Sequence, residues 1–489
     1  MSELVKLGLK EAAEKVKARE VSSVELTQAC LDRVQARNGD INAFVTVCSD
    51  KALEMAEASD QRVKEGKSRL IEGVPLGIKD LFCTEGVLTT ASSHILDGFV
   101  PAYESTVTAN LWKAGGVLLG KLNHDQFGMG TANENTHYGP VRNPWAMDYT
   151  PGGSSGGSVA AVADYQCMAT TSTDTGGSSR QPAFMTGTVG IKPTYGRCSR
   201  WGVISYASSL DSPSVNARTV EDAALMLRAM AGFDPKDSTS ADIEMDAFDE
   251  DLADLDVKGL KIGLPTEYIE VEGLDPRIKQ TVLSTAKRFE EAGAEIIDVK
   301  FPLIEYAVPC YYIIAPAEAA SNLARYDGMR YGLRVEGENL VDTYKKTRSA
   351  GFKLETKRRI MIGNYVLSSG YYDAYYLKAQ KVRALIARDF QNALDKVDVI
   401  LAPTAPTPPF KVGALTDPVQ LYLQDIFTIP NSLAGLPAVA VPSGTVEEGG
   451  TTLPVGIQFI GKLFKEKDLL KVAYAHEQMT QFKPLELKG

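Results

Sequence analysis

Two glycine-serine clusters constrain this chain more than anything else in it: Pro151-Gly152-Gly153-Ser154-Ser155-Gly156-Gly157-Ser158 and Asp174-Thr175-Gly176-Gly177-Ser178-Ser179-Arg180. Ser154 and Ser178 stand twenty-four residues apart. Chain without Cβ atoms turns sharply and can aim successive N–H groups at one point. A Gly/Ser stretch is more often a flexible linker, but linkers are not framed by packed elements. Here Val159-Ala160-Ala161-Val162-Ala163 follows the first cluster and Ala169-Thr170-Thr171 precedes the second, reading as a buried helix and strand. Upstream, Gly73-Val74-Pro75-Leu76-Gly77-Ile78-Lys79-Asp80 carries a lysine in an apolar frame that Leu81 extends. A hydroxyl that attacks an amide needs a base for its proton and donors for the oxyanion. This set offers both without histidine.

Of the four histidines, His94, His124, His137 and His476, His124 is followed directly by a carboxylate, Asp125. A Ser/His/Asp triad needs the imidazole poised by a carboxylate, and sequence neighbours rarely present both side chains to one site. All four read as structural or surface residues. Six scattered cysteines lack C-x-x-C pairs and nearby histidines, so neither a disulfide framework nor a metal site is expected.

Ser22 and Glu25 form a capping-box pattern, and helices are expected near 51–64, 106–114, 275–292 and 371–396. Ala43–Val47, Gly116–Gly120, Lys261–Leu264 and Val397–Ala402 read as strands. Strands alternating with helices predict an α/β layered sheet. The Asp/Glu/Ser-rich stretch from Asp234 to Asp254 reads as a solvated excursion between a catalytic N-terminal half, about 1–233, and a C-terminal half, about 256–489. No repeat of 20 to 50 residues suggests a solenoid.

A net charge of −10 argues against a chain that grips a nucleic-acid backbone by itself, because phosphate binding rests on Lys and Arg. A nucleic-acid substrate would need a partner to hold it. The N-terminus lacks an apolar signal core and no run of 18 apolar residues occurs, which predicts a soluble cytoplasmic chain, or an organellar one without a visible transit peptide.

The segments around Lys79, Ser154 and Ser178 resemble the amidase signature family. Longer runs, Gly190–Arg197, Arg218–Ala224, Tyr311–Ala319, Lys357–Met361 and Ser368–Tyr376, resemble its branch of A subunits of glutamyl-tRNA(Gln)/aspartyl-tRNA(Asn) amidotransferases. The resemblance covers nearly the whole length. It implies one amidase domain over 1–489, an amidase signature fold with a central mixed sheet covered by helices on both faces, and the C-terminal half contributing the substrate pocket. By the same resemblance Ser178 is the nucleophile, Ser154 the bridging serine after a cis peptide bond, and Lys79 the base. The oxyanion would bind to the amides of Thr175, Gly176, Gly177 and Ser178. Arg358 and Asp425 would hold the carboxylate and ammonium of glutamine, with Tyr311 or Tyr312 lining the pocket. An unperturbed lysine titrates near ~10.4, so Lys79 serves as a base only where burial favours its neutral form.

The implied reaction releases ammonia from glutamine through a γ-glutamyl ester. A B subunit that binds mischarged Glu-tRNA(Gln) and activates it with ATP and magnesium would use the ammonia, and a small C subunit would complete the heterotrimer. The chain itself carries no Gly-x-x-x-x-Gly-Lys-Ser/Thr phosphate loop and needs no cofactor of its own. The chain departs from the family at Thr171-Ser172-Thr173, at Ser179 in place of isoleucine, and at Ser212–Asn216, where a glycine and an aromatic are usual. Three readings follow: an ammonia-supplying amidotransferase chain, a stand-alone amidase acting on another amide, or a scaffold impaired by those departures.

Overall fold

The structure is a computed structural model that describes residues 2–486. Eleven strands form one mixed sheet: β1 (Phe44–Val47), β2 (Pro75–Lys79), β3 (Val117–Leu122), β4 (Ala169–Asp174), β5 (Val189–Lys192), β6 (Ser212–Ala217), β7 (Lys261–Pro265), β8 (Glu295–Val299), β9 (Val399–Pro403), β10 (Ala438–Glu448) and β11 (Thr451–Ile460). Their order is β1-β3-β2-β4-β6-β5-β10-β11-β9-β7-β8. Strands from both halves of the chain therefore share one sheet, joined where β5 pairs antiparallel with β10.

The middle of the sheet is buried on both faces, which is why β2 and β3 read as near-continuous apolar runs. β2 lies parallel to β3 and to β4, with Leu76 opposite Ala169 and Gly77 opposite Thr170. The carboxyl ends of β2 and β4 therefore emerge side by side, carrying Lys79 and the Asp174 cluster. Ligand crevices form outside such ends in open α/β sheets.

The Ser22 capping box forms as expected, its hydroxyl meeting the Glu25 amide and the Glu25 carboxylate returning to the Ser22 amide. Helices Ser49–Lys64, Thr106–Ala114 and Pro276–Glu291 lie within a residue or two of their expected bounds. The 371–396 stretch is not one α-helix: a π-helical turn, Tyr372–Leu377, leads into the helix Lys378–Leu394. The acidic stretch 234–254 has neither helix nor strand but is pinned rather than simply solvated. Asp234 accepts from Ser199 and Thr106, Asp237 pairs with Arg200, and Phe248 is fully buried. Short acidic side chains there cap loops of the N-terminal half, a role that composition does not distinguish from a solvated face.

Candidate active site

β2 delivers Lys79 into the core, where it is fully buried, as are its chain neighbours Val74, Leu76, Ile78 and Leu81. Its Nζ lies within hydrogen-bond distance of three hydroxyls: Ser154 Oγ at 3.0 Å, Ser155 Oγ at 2.8 Å and Thr173 Oγ1 at 2.8 Å. Among the described residues no carboxylate touches it directly. Burial therefore wins over the more distant Asp125, Asp174 and Asp211 charges and pushes the amine down to about 7. A lysine near that value is substantially neutral at physiological pH and can accept a proton.

The Gly153–Ser154 peptide bond is cis. Two backbone bonds fix this loop: the Asp125 amide donates to Ser154 O at 3.0 Å, and the Ser155 amide donates to Ser178 O at 3.2 Å. The second brings the two serine clusters together. Ser178 is 8% exposed, whereas Lys79 and Ser154 are fully buried. The amides of Thr175, Gly176, Gly177 and Ser178 donate to no acceptor among the described residues. Buried amides are nearly always paired, so four uncommitted donors in a row form a concavity suited to an anion.

The loop carrying those donors is clipped at its base. Asp174 and Arg180, both fully buried, make a two-pronged pair at 2.9 Å for each prong. Arg180 also donates to Asn431 Oδ1, Gln458 Oε1, Thr428 O and Ser432 Oγ, tying the loop to the C-terminal half. Thr428 Oγ1 donates to Gly176 O at 2.7 Å. Gly177, at φ +141°, holds a backbone angle that side-chain-bearing residues avoid, and a Cβ there would collide with Thr428. A Cβ on Gly176 would meet the Tyr311 ring at 2.8 Å, so Tyr311 packs directly on the loop. Tyr312 stacks on Tyr422 with ring centres 4.0 Å apart.

Asp425 is buried beside Gly177, and its Oδ1 has no partner among the described residues. Burial and the Asp174 charge push its carboxyl well above the usual carboxylate range. An incoming ammonium is what would restore its charge. Arg358 lies on the wall of a cavity of about 500 Å³, ion-paired to Glu355, with Asp125, Thr131, Arg359 and Tyr422 also lining it. The arginine next to it is the deeper one. Arg359 is held by Glu355 Oε1 at 2.8 Å and Tyr206 OH at 2.9 Å, among the rings of Tyr206, Tyr312 and Tyr422. Glu355 reaches both because residues three and four positions on share its face of helix Leu354–Val366.

Sequence reasoning missed Arg359, Thr428 and Asp125. Asp125 is buried, accepts from the Asn133 and Asn135 amides at 2.9 Å, and is pushed up to about 7 by burial. Its position beside His124 in the chain points to the histidine instead. His124 is buried, its Nδ1 on the Asp125 carbonyl at 2.7 Å; His94 and His137 stack on each other, and His476 bonds Ser443. None of the four bonds Ser154 or Ser178 among the described residues. Among those residues no group of three or more His, Cys, Asp or Glu could hold a metal ion, and no helix is long and apolar enough to cross a membrane.

Comparison with known proteins places this geometry. Residues 25–470 match the amidase family. The chain is 56% identical over 487 residues to the A subunit of the glutamyl-tRNA(Gln) amidotransferase of Sinorhizobium fredii, covering 98% of each chain. Among solved structures it resembles the A subunit of the glutamyl-tRNA(Gln) amidotransferase from Thermotoga maritima, with a TM-score of 0.82, 36% identity, and 100% and 99% of the two chains covered. It also resembles a peptide amidase from Stenotrophomonas maltophilia, with a TM-score of 0.83, 27% identity and full coverage of both chains. Family match, full-length likeness and shared fold agree: this chain belongs to the amidase signature family.

Proposed function

We propose that this chain is the glutamine-hydrolysing, ammonia-supplying component of a tRNA-dependent amidotransferase that converts mischarged Glu-tRNA(Gln) to Gln-tRNA(Gln). The observation that carries the chemistry is the buried Lys79 amine 3.0 Å from Ser154 Oγ. Neutral Lys79 takes the Ser154 proton as Ser154 takes that of Ser178, one hydroxyl both donating and accepting. Ser178 Oγ attacks the side-chain carbonyl carbon of glutamine. The developing oxyanion falls among the amides of residues 175–178. As the tetrahedral centre collapses, the C–N bond breaks and the relayed proton leaves with ammonia. Water then cleaves the γ-glutamyl ester by the same relay in reverse.

Glutamine is a zwitterion, and a pocket that selects it offers charges of both signs. Asp425 is the anion for the ammonium and Arg358 the cation for the carboxylate, with Tyr311 and Tyr312 as the wall between pocket and nucleophile loop. Its acidic balance and the full-length likeness to amidotransferase A subunits support a division of labour with B and C partner subunits. Recognition of tRNA, ATP and magnesium then belongs to the B subunit.

Glutaminase assays of the purified chain, alone and with B and C subunits, test this reading. Turnover is expected in the complex. Glutamine hydrolysis that never appears in a complex that does assemble removes the enzymatic reading. Faster turnover of an unrelated amide without partners replaces it with a stand-alone amidase. Asp425→Asn is expected to raise the glutamine KM by about tenfold or more, the loss of a charged partner, with a smaller fall in kcat. An unchanged KM would remove Asp425 from the ammonium site.

A further inference from the structure

The sequence departs from its family at 171–173, at 179 and at 212–216, and in the fold these positions meet under the nucleophile loop. Ser172 lies on β4, Asn216 on β6, and Ser179 directly follows Ser178; all three are fully buried. Ser172 Oγ donates to Ser179 Oγ at 3.1 Å, and Ser179 Oγ donates to Val215 O at 3.3 Å. Asn216 Nδ2 donates to Ser179 O at 3.1 Å and to Val189 O at 3.3 Å. The Ser179 amide donates to Asp174 Oδ2 at 3.3 Å. Amide, carbonyl and hydroxyl of the residue next to Ser178 are thus all held, by two adjacent strands and by the Asp174 clip. Gly190 makes room for this, because a Cβ there would lie 2.6 Å from Ser179 O and 3.0 Å from Asn216 Nδ2. Ser214, where glycine is usual in the family, lies in ordinary strand and shows no positive φ.

We propose that Ser172, Ser179 and Asn216 form a polar brace that positions Ser178 for attack. The inference rests on Ser178 being the attacking hydroxyl. None of the three contacts the reacting atoms, so they are positioning residues, acting through the backbone of Ser179. Misplacing a nucleophile by about 1 Å costs on the order of 10²-fold in rate, because the geometry for attack is lost while substrate binding elsewhere is kept. A buried polar network fixes such geometry through its partnered members, and here Asn216 Oδ1 is the one brace atom without a partner among the described residues. The three departures then compensate one another, and the chain is not the impaired scaffold that each alone would suggest.

The test uses the assembled complex with glutamine. Ser179→Ala is expected to lower kcat by about 10- to 100-fold with KM within about twofold and the pH midpoint of kcat unmoved. Ser179→Thr, which keeps the hydroxyl, is expected to recover most of that loss. Ser172→Ala removes one hydroxyl that bonds only Ser179 among the described residues, and a several-fold fall in kcat is expected; it decides the matter if Ser179→Ala does not fold. Asn216→Leu with Ser179→Ala should lose less than the product of the single losses, since coupled residues are non-additive. Unchanged kcat in Ser179→Ala and Ser172→Ala overturns the brace, as does a fall in which KM rises in parallel or threonine does no better than alanine. Ser178→Ala separates the two levels. If it stays active, the nucleophile reading fails; if it is inactive while the brace variants match the unsubstituted chain, only the brace fails.

Discussion

Replacing Ser178 by alanine in the assembled complex is expected to lower glutamine hydrolysis by about 10⁴-fold or more, because no other hydroxyl can form the γ-glutamyl ester. Lys79→Met is expected to lower kcat by about 10²- to 10⁴-fold, the range that a positioned general base supplies. The pH profile distinguishes the two residues. Lys79 works as a base only when neutral, so kcat of the unsubstituted chain is expected to rise with pH through about 7, the value to which burial brings the amine. Residual activity of Lys79→Met should lack that rise. The stability linkage has a definite sign. Between about 7 and the unfolded lysine range, the unfolded chain binds a proton that the folded chain does not, so the folded state gains stability as pH rises. Lys79→Met loses this slope, and its stability relative to the unsubstituted chain is expected to fall between about pH 7 and 10. Urea unfolding at several pH values reads this directly; parallel slopes for the two proteins would place the ammonium in the folded core and remove the neutral-base argument.

Asp174→Ala is expected to be the most destabilising single change near the site. It leaves the Arg180 guanidinium without a counter-charge in a core where both side chains are fully buried. Removing one partner of a buried pair costs about 3–5 kcal/mol. Whole-domain stabilities are only ~5–15 kcal/mol, so a large fraction of the chain should unfold at temperatures the unsubstituted protein survives. Asp174→Leu combined with Arg180→Met should recover much of the lost stability, since apolar replacement of both partners is often neutral. Activity should not return, because Arg180 also carries the bonds to Thr428, Asn431 and Ser432 that hold the loop in place. Burial pushes the Asp174 carboxyl up, but Arg180 outweighs it and holds the group below its usual range. Its contribution is complete above the unfolded carboxylate range and is lost as pH falls through the lower folded value. Thermal unfolding of the single and double variants measures both effects; a single variant as stable as the unsubstituted chain would mean that Arg180 finds another partner.

Much of the site was legible because it is made of chain-local chemistry. Glycines beside Ser154 and Ser178, with apolar flanks, require buried tight turns whatever the sheet order, and the apolar residues leading up to Lys79 mark a buried strand that ends on it. Arg359 was not legible. It shares charge and helix with Arg358, and only the rings of Tyr206, Tyr312 and Tyr422, drawn from three distant segments, make one arginine deep and leave the other on the cavity wall. Thr428 was equally silent, since its role is a single hydroxyl bond to Gly176, 252 residues away.

The sequence by itself determined the serine clusters, the lysine, the family and the alternation that makes an α/β sheet, because propensity, turn chemistry and burial pattern are properties of neighbours along the chain. Only the tertiary structure decided that β2 and β4 end side by side, that Lys79 meets hydroxyls, and that Asp425 Oδ1 lies beside Gly177 without a partner among the described residues. It also reversed the reading of the unusual polar residues. Viewed along the chain, Ser172, Ser179 and Asn216 stood as separate polar departures; brought together between β4, β5 and β6, they hydrogen-bond around Ser179, with Asn216 Oδ1 left without a partner among the described residues. The reason is physical: a buried polar group is costly alone and stabilising when partnered, and its partner is chosen by the fold, not by its neighbours in sequence.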